Sequence, residues 1–446
     1  MRISVIGCGY LGAVHAASMA QLGHDVIGLD VDEAKVAKLA VGVAPFHEPG
    51  FDDLLRRGVE SGRLRFSADP AEIRDAEIHF VAVGTPQMSG RLGADMSYVD
   101  QAVTTIIEHA DPADGARPAL VAGKSTVPVG TAEAIAQRLA SSGKRLLLAW
   151  NPEFLREGFA IQDTLHPDRI VYGLPDDRAD GELAKSILDE CYAVPLAEDT
   201  PLVVANYPTA ELVKVAANSF LATKISFINA MAELCDVTGG DVTRLAEAIG
   251  HDDRIGRKFL QAGIGFGGGC LPKDIRAFMA RAGELGVDQA LTFLREVDTI
   301  NLRRRDHAVH LAEEAVGGLE GKKIAVLGIT FKPDTDDMRD SPALDIAGKL
   351  WAAGAELAIV DPAAADKLRD RRPDLNVPDT LEEALEGAHA VMVLTPWREF
   401  VELDPAAVLP LVAAPNVIDG RNVLDPQRWN DAGWNYFGMG RGVPTW

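Results

Sequence analysis

The ten residues Gly265-Phe266-Gly267-Gly268-Gly269-Cys270-Leu271-Pro272-Lys273-Asp274 hold the densest chemistry in the sequence. Glycines run into a cysteine, and Pro272 suits the first turn of a helix. Cys270 is then expected at a helix N-terminus, where the positive end of the dipole favours thiolate over thiol. Lys273 adds positive charge, and Asp274 shares a helix face with Cys270. A nucleophile, an activating field and a carboxylate for proton handling fall together. Glycine here would let backbone approach a bulky ligand, since no Cβ intervenes. A lone cysteine is more often buried and inert; the glycines and the Lys273/Asp274 pair weigh toward the nucleophile.

Such a loop needs elements to position it. Residues 3–6 read as a buried strand, followed by Gly7-Cys8-Gly9-Tyr10-Leu11-Gly12, a helical run over 13–22 and a strand over 26–29 ending at Asp30. This order is the dinucleotide-binding fingerprint. Gly7 makes the tight turn, Gly9 admits the pyrophosphate, and Gly12 lets helix pack on strand. Asp30 would accept hydrogen bonds from ribose hydroxyls and repel a 2′-phosphate, which favours NAD over NADP.

Strands over 77–83 and 119–122 break into turns containing Thr85 and the run Ser125-Thr126. Both turns belong at the carboxyl edge of a parallel sheet, where ligands bind. Thr85 and Ser125 read either as cofactor contacts or as helix caps, and Thr126 as reaching further, to substrate or water. A strand over 146–149 runs into Asn151-Pro152-Glu153-Phe154-Leu155-Arg156-Glu157-Gly158, which makes Glu153 a candidate for proton or water handling.

Residues 209–237 form one helix of about 40 Å, the kind that bridges domains or builds a dimer core. Lys214 and Asn218 share one of its faces, as a solvated polar stripe or as substrate contacts. The stretch 252–259, basic at its centre, reads as an exposed turn. From Gly321 a second α/β unit begins, with strands over 323–328, 355–360, 390–395 and 416–421. Its first turn, Gly328-Ile329-Thr330-Phe331-Lys332-Pro333-Asp334, lacks GxGxxG, which argues against a dinucleotide. Lys332 and Arg421 at strand ends suit another phosphate-bearing ligand. The expected fold class is α/β: two Rossmann-like, doubly wound parallel-sheet domains joined by a long central helix.

At 446 residues the chain has room for two or three domains. A formal charge of −22 argues against nucleic-acid or acidic-membrane partners, without excluding an anionic small substrate. No run approaches ~20 uncharged apolar residues, so no membrane span is expected. The first residues read as strand and turn, not as a signal peptide. Four cysteines without a CxxC pair indicate neither a disulfide framework nor a zinc site; no metal is expected, and a cytoplasmic protein is.

Taken together, Gly-Phe-Gly-Gly-Gly-Cys-Leu-Pro-Lys-Asp, Ser-Thr-Val-Pro-Val-Gly-Thr, Asn-Pro-Glu-Phe-Leu-Arg-Glu-Gly, Phe-Lys-Pro-Asp-Thr-Asp-Asp-Met-Arg and Asp-Gly-Arg resemble, in order, the motifs of the UDP-glucose/GDP-mannose dehydrogenase family. The resemblance spans nearly the whole chain and leans to the UDP-glucose branch, through His166-Pro167-Asp168-Arg169-Ile170-Val171 and the form of the cysteine loop. It implies oxidation of a sugar C6 alcohol to a carboxylate by two NAD, here UDP-glucose to UDP-glucuronate. Cys270 is then the nucleophile that holds the aldehyde as a thiohemiacetal and then a thioester. Asp274 and Thr126 would hold or activate water, Lys214 would stabilise oxyanions, and Glu153 would serve proton transfer or thioester hydrolysis. Asn218 would bind substrate and order the site.

For NAD the resemblance implicates Gly7, Gly9, Tyr10, Leu11, Gly12, Asp30, Lys35, Thr85, Ser125, Thr126, Glu153, Lys273 and Arg339. For the UDP-sugar it implicates Glu153, Phe154, Leu155, Glu157, Lys214, Asn218, Phe259, Phe266, Gly267, Cys270, Phe331, Lys332 and Arg421. Arg254 would reach the substrate from a neighbouring subunit, so a homodimer through the long helix is expected. Gly269 stands where some relatives carry Ser, an expected neutral change. The implied domains are an NAD-binding domain over 1–200, a helical dimerisation and catalytic domain over 201–315, and a UDP-sugar-binding domain over 316–446.

Oxidation of GDP-mannose or a UDP-N-acetylhexosamine is the alternative, since those relatives share the cysteine loop. A catalytically idle nucleotide-sugar sensor would be expected to lack Cys270, Lys214 or Asp274, and all three are present. A one-step 3-hydroxyacid dehydrogenase would have no use for Cys270 or the second α/β domain.

Overall fold

Short apolar runs, each closed by a glycine or polar turn, become the strands of two sheets. The computed structural model describes residues 1–112 and 117–441. The first sheet contains β1 (Arg2–Ile6), β2 (Asp25–Leu29), β3 (Leu64–Ser67), β4 (Ile78–Val81), β5 (Ala119–Gly123), β6 (Leu146–Trp150), β7 (Ile170–Leu174) and β8 (Leu202–Asn206). Their order is β3-β2-β1-β4-β5-β6-β7-β8. The first six follow the dinucleotide-binding order, with its switch point between β1 and β4. Helices cover both faces: Ala13, Val14, Ala17 and Phe80 pack in one core, while Val81, Val103, Ile106 and Val121 pack in another. Full burial of each larger side chain contributes on the order of 2 kcal/mol.

One pairing departs from the expected parallel sheet: β7 runs antiparallel to β6 and meets it only at Trp150 opposite Gly173. The Trp150 side chain occupies the space on either side of its strand. A Cβ on Gly123 would lie 2.2 Å from the indole, and one on Gly173 would lie 3.1 Å from the Cβ of Trp150.

The second sheet contains β9 (Lys323–Leu327), β10 (Glu356–Val360), β11 (Ala390–Val393), β12 (Asn416–Asp419) and β13 (Asn435–Gly438). All are parallel, in the order β10-β9-β11-β12-β13. This is the other common doubly wound order, with its switch point between β9 and β11.

A helix of 32 residues, Tyr207–Thr238, follows β8 directly and covers the expected span. The chain forms two compact units, one of Met1–Ala217 with Arg276–Gly286 and the other of Asn218–Ile275 with Val287–Trp446. Residues 113–116 of the first expected domain and 442–446 of the third lie outside the described residues. Among the described residues, no helix is long and apolar enough to cross a membrane.

Candidate active site

The first unit builds a dinucleotide cradle at the switch point. Gly7 has φ +91°, in the left-handed region, and a Cβ there would lie 2.7 Å from Val83. A Cβ on Gly12 would lie 1.8 Å from the Gly7 carbonyl oxygen, so only glycine lets the helix Tyr10–Gln21 come this close to the turn. A Cβ on Gly9 would meet nothing within 4 Å, which leaves the helix N-terminus open to a pyrophosphate. Asp30 Oδ2 accepts from the Cys8 N–H at 2.7 Å and from Lys35 Nζ at 3.0 Å. The residues present therefore fit NAD.

Asp30→Ala is expected to raise the KM for NAD about tenfold and to relax discrimination against NADP, as loss of a charge-accepting hydrogen bond predicts. Cofactor titration checks this, and an unchanged preference would remove Asp30 from the ribose.

Around the cradle the expected residues divide by what holds them. Thr85 donates its hydroxyl to the Thr126 carbonyl at 2.8 Å, and Ser125 donates to the Val83 carbonyl at 2.7 Å. Both hydroxyls thus brace the turn. Tyr10 donates to Glu48, whose carboxylate also takes the N–H of Gly158 (2.6 Å) and Ala160 (2.7 Å). Glu48 anchors the end of the Glu153 loop from over a hundred residues away, and no local pattern marked it.

Glu153 Oε1 pairs with Lys214 Nζ at 3.1 Å, both side chains largely buried, and Oε2 accepts the Leu155 N–H at 2.6 Å. Phe154 has the Lys214 ammonium 5.6 Å from its ring centre and the Arg169 guanidinium at 3.8 Å. A cavity of about 60 Å³ is lined by Glu153, Phe154, Leu155, Lys124 and Asn151 among others.

Lys124 was given no role by its sequence neighbours. Its ammonium is buried and bonds Asn151 Oδ1 (2.9 Å) and Tyr192 Oη (3.1 Å). Burial lowers its pKa from 10.5 to about 8. Below pH 8 the native amine is charged and bears its desolvation cost. Between about 8 and 10.5 the unfolded chain still holds a proton that the native state has lost, so this group's contribution to stability rises with pH. The stability of Lys124→Met relative to the parent should therefore decline as pH is raised from 8 to 10, measured by denaturant titration. A relative stability of the variant that stays flat or rises over that range would contradict this.

The second unit holds the thiol. Cys270 is exposed and stands immediately before the helix Leu271–Glu284, while Cys8, Cys191 and Cys235 are buried. Asp274 donates its backbone N–H to the Cys270 carbonyl at 3.0 Å, so the two lie one turn apart. The Asp274 side chain is 2% exposed; its oxygens accept from Asn218 Nδ2 and from Lys273 Nζ, each at 2.6 Å. Two strong donors hold this carboxylate in one orientation.

The glycines of the loop do something other than clear space for a ligand. Gly265 (φ +90°) and Gly268 (φ +85°) adopt left-handed backbone, and Cβ atoms there would lie 2.3 Å from Asn301 and 2.8 Å from Phe331. Asn301 clasps Phe266 by its N–H (2.7 Å) and its carbonyl (2.9 Å). The loop is glycine-rich because protein packs against it. A Cβ on Gly269 would lie 2.4 Å from the Arg339 guanidinium, so Gly269→Ser requires that exposed side chain to move.

Arg421 donates to the carbonyls of Gly265 (2.7 Å), Phe331 (3.1 Å) and Leu394 (2.8 Å). It thereby ties the cysteine loop to two strand ends, and desolvation lowers its pKa to about 10. Lys332 lies over the Phe331 ring at 5.5 Å, Phe266 and Gly267 are buried, and Glu157 is half-buried. Phe259 holds φ +65°, a strained conformation for an aromatic residue. Arg339 pairs with Asp337 at 2.7 Å and Arg254 with Asp252 at 2.7 Å; the Arg254 side chain is 89% exposed.

The second sheet repeats the first turn without its opening. Asp361 occupies the place of Asp30, but it accepts from the N–H groups of Ile329 and Thr330 and from Trp397 Nε1 at 3.2 Å. The Asp361 carboxylate is thereby occupied by the protein's own donors. Among the described residues no group of three or more His, Cys, Asp or Glu is arranged to hold a metal ion.

Comparison with known proteins agrees with this division of labour. Residues 1–193 match the NAD binding domain of the UDP-glucose/GDP-mannose dehydrogenase family, 208–303 its central domain and 325–426 its UDP binding domain. The chain belongs to this family. A UDP-glucose 6-dehydrogenase of Bacillus subtilis is 38% identical, over 99% of this chain and 98% of the relative. One from Rhizobium meliloti is 39% identical, over 99% and 100%. Among solved structures, a UDP-glucose dehydrogenase from Pyrobaculum islandicum superposes with a TM-score of 0.88 at 38% identity, covering 98% of this chain and 97% of that one. As a member of this dehydrogenase family the protein is an oxidoreductase that uses NAD.

Proposed function

We propose that the protein oxidises UDP-glucose to UDP-glucuronate in two NAD-linked steps, with Cys270 holding the half-oxidised sugar. The observation that carries this reading is an exposed thiol at a helix start, one turn from a buried aspartate fixed by Asn218 and Lys273. When bound, NAD would supply the hydride acceptor for each oxidation. In the first, the C6 alcohol loses hydride and proton to become an aldehyde, and Lys214 stabilises the oxygen as it gains negative charge. The Cys270 thiolate then bonds to the aldehyde carbon, and the oxygen takes a proton to give a thiohemiacetal. In the second oxidation that carbon loses hydride and its hydroxyl loses a proton, leaving a thioester. Water adds to the thioester carbon, the C–S bond breaks, sulfur leaves as thiolate, and protons released from water leave a carboxylate. Asp274 and Thr126 hold or activate that water, and Glu153 serves proton transfer or hydrolysis.

Three further assignments belong to this proposal. The chain divides functionally at about residues 200 and 315, as the sequence implies. It works as a cytoplasmic homodimer through the long helix, which leaves Phe220, Phe227 and Leu234, seven residues apart, exposed. Arg254, also exposed, serves the partner's substrate.

The test is to incubate the protein with NAD and a panel of sugar nucleotides and to count NADH per sugar consumed. Two per UDP-glucose, with UDP-glucose preferred, is expected. One per sugar, or preference for GDP-mannose or a UDP-N-acetylhexosamine, would overturn the reading.

A further inference from the structure

The helix Thr131–Ser141 begins at Gly130, which has φ +97° and no side chain with which to cap it. Its orphan N–H groups are satisfied from a distance. Glu211, on the long helix and 2% exposed, accepts the Gly130 N–H at 2.8 Å with one oxygen and the Ala132 N–H at 2.7 Å with the other. The carbonyl of the same peptide, Val129 O, accepts from Arg281 Nε at 2.9 Å. One peptide unit is thus gripped at both polar atoms, by an anion on its N–H and a cation on its C=O. Those charges match the peptide dipole. Turned over, the carbonyl would face the carboxylate and the N–H would face the guanidinium. A peptide beside a left-handed glycine is where a loop most easily turns over, and here that motion is opposed from both sides.

Three residues upstream is Thr126, whose carbonyl is held by the Thr85 hydroxyl. Glu211 also lies three residues before Lys214 on its helix, so the grip registers the Thr126 turn against the segment that carries the Lys214–Glu153 pair.

We infer that Glu211 and Arg281 are positioning residues that fix the sense of the Val129–Gly130 peptide and thereby hold Thr126 against the water that cleaves the thioester. This rests on the proposed role of Thr126 in that step. A buried carboxylate and a guanidinium exceed what capping demands, since Ser or Asp at the N-cap would satisfy the helix at the surface.

The test is a double-mutant cycle on the full-length enzyme with UDP-glucose and NAD. Glu211→Gln keeps the shape but turns an amide on one of the N–H groups. It should lower kcat about thirtyfold and leave both KM values within about threefold. In a Thr126→Ala background the same substitution should cost less than about threefold, because its effect runs through Thr126. Multiplying losses, or a loss seen in KM, would mark a merely structural contact and overturn the inference. If Glu211→Gln does not fold, Arg281→Met in the same cycle reads the grip from its other side, with the same two outcomes. The parent enzyme's NADH count is read without these variants, so failure of the functional reading shows there first, and two NADH per sugar with multiplying losses marks failure of this inference alone.

Discussion

Cys270→Ser is expected to lower the rate of uronate formation by at least about a thousandfold. The substitution is nearly isosteric at an exposed position, so stability should change by no more than about 0.5 kcal/mol. What changes is chemistry. A thiol gives a nucleophilic thiolate far more readily than a serine hydroxyl gives an alkoxide, which does not form near neutral pH. The aldehyde would no longer be captured as a thiohemiacetal, and the second oxidation would stall. Rates of uronate appearance, with NADH followed in parallel, check this. Uronate formation at the full rate would remove Cys270 from the mechanism.

Lys214→Ala is expected to lower kcat by about 10²–10³, the usual cost of removing one donor that meets developing oxyanion charge. The effect should lie in kcat more than in KM, because that charge is greatest in the transition state. A second consequence follows from the pairing at 3.1 Å with Glu153, 13% exposed: truncation leaves that carboxylate without its cation, at a stability cost on the order of 3 kcal/mol. Steady-state kinetics and denaturant unfolding separate the two. A variant with normal kcat would assign Lys214 to structure alone.

What the sequence revealed depended on how far apart the partners are. The fingerprint from Gly7 to Asp30 was legible because strand, turn and helix are consecutive in the chain and Gly12 answers to the Gly7 carbonyl within the same turn. The helix Tyr207–Thr238 was legible from length without breakers. The edge strands β3, β8 and β13 were not anticipated, since short or exposed strands such as Leu202–Asn206 carry no buried apolar run. The antiparallel pairing of β7 places Gly173 opposite Trp150 and close to Ala210 of the long helix, tertiary neighbours that no local pattern marks.

The site divides in the same way. Cys270, Asp274 and Lys273 sit within one turn of helix and could be read together. Glu48, Glu211 and Arg281 could not, because each satisfies backbone atoms that lie 79 to 152 residues away. The loop glycines were legible as glycines, but their purpose was not. Their neighbours are Asn301, Phe331 and Arg339, supplied by later parts of the chain.

The most direct measurement is to quench the wild-type enzyme during turnover with UDP-glucose and NAD and to map the digest by mass spectrometry. The expected result is a uronyl thioester on the peptide that contains Cys270, with no aldehyde captured by an amine trap in solution. An unmodified Cys270 peptide, together with trapped aldehyde accumulating as fast as the first NADH, would contradict the account.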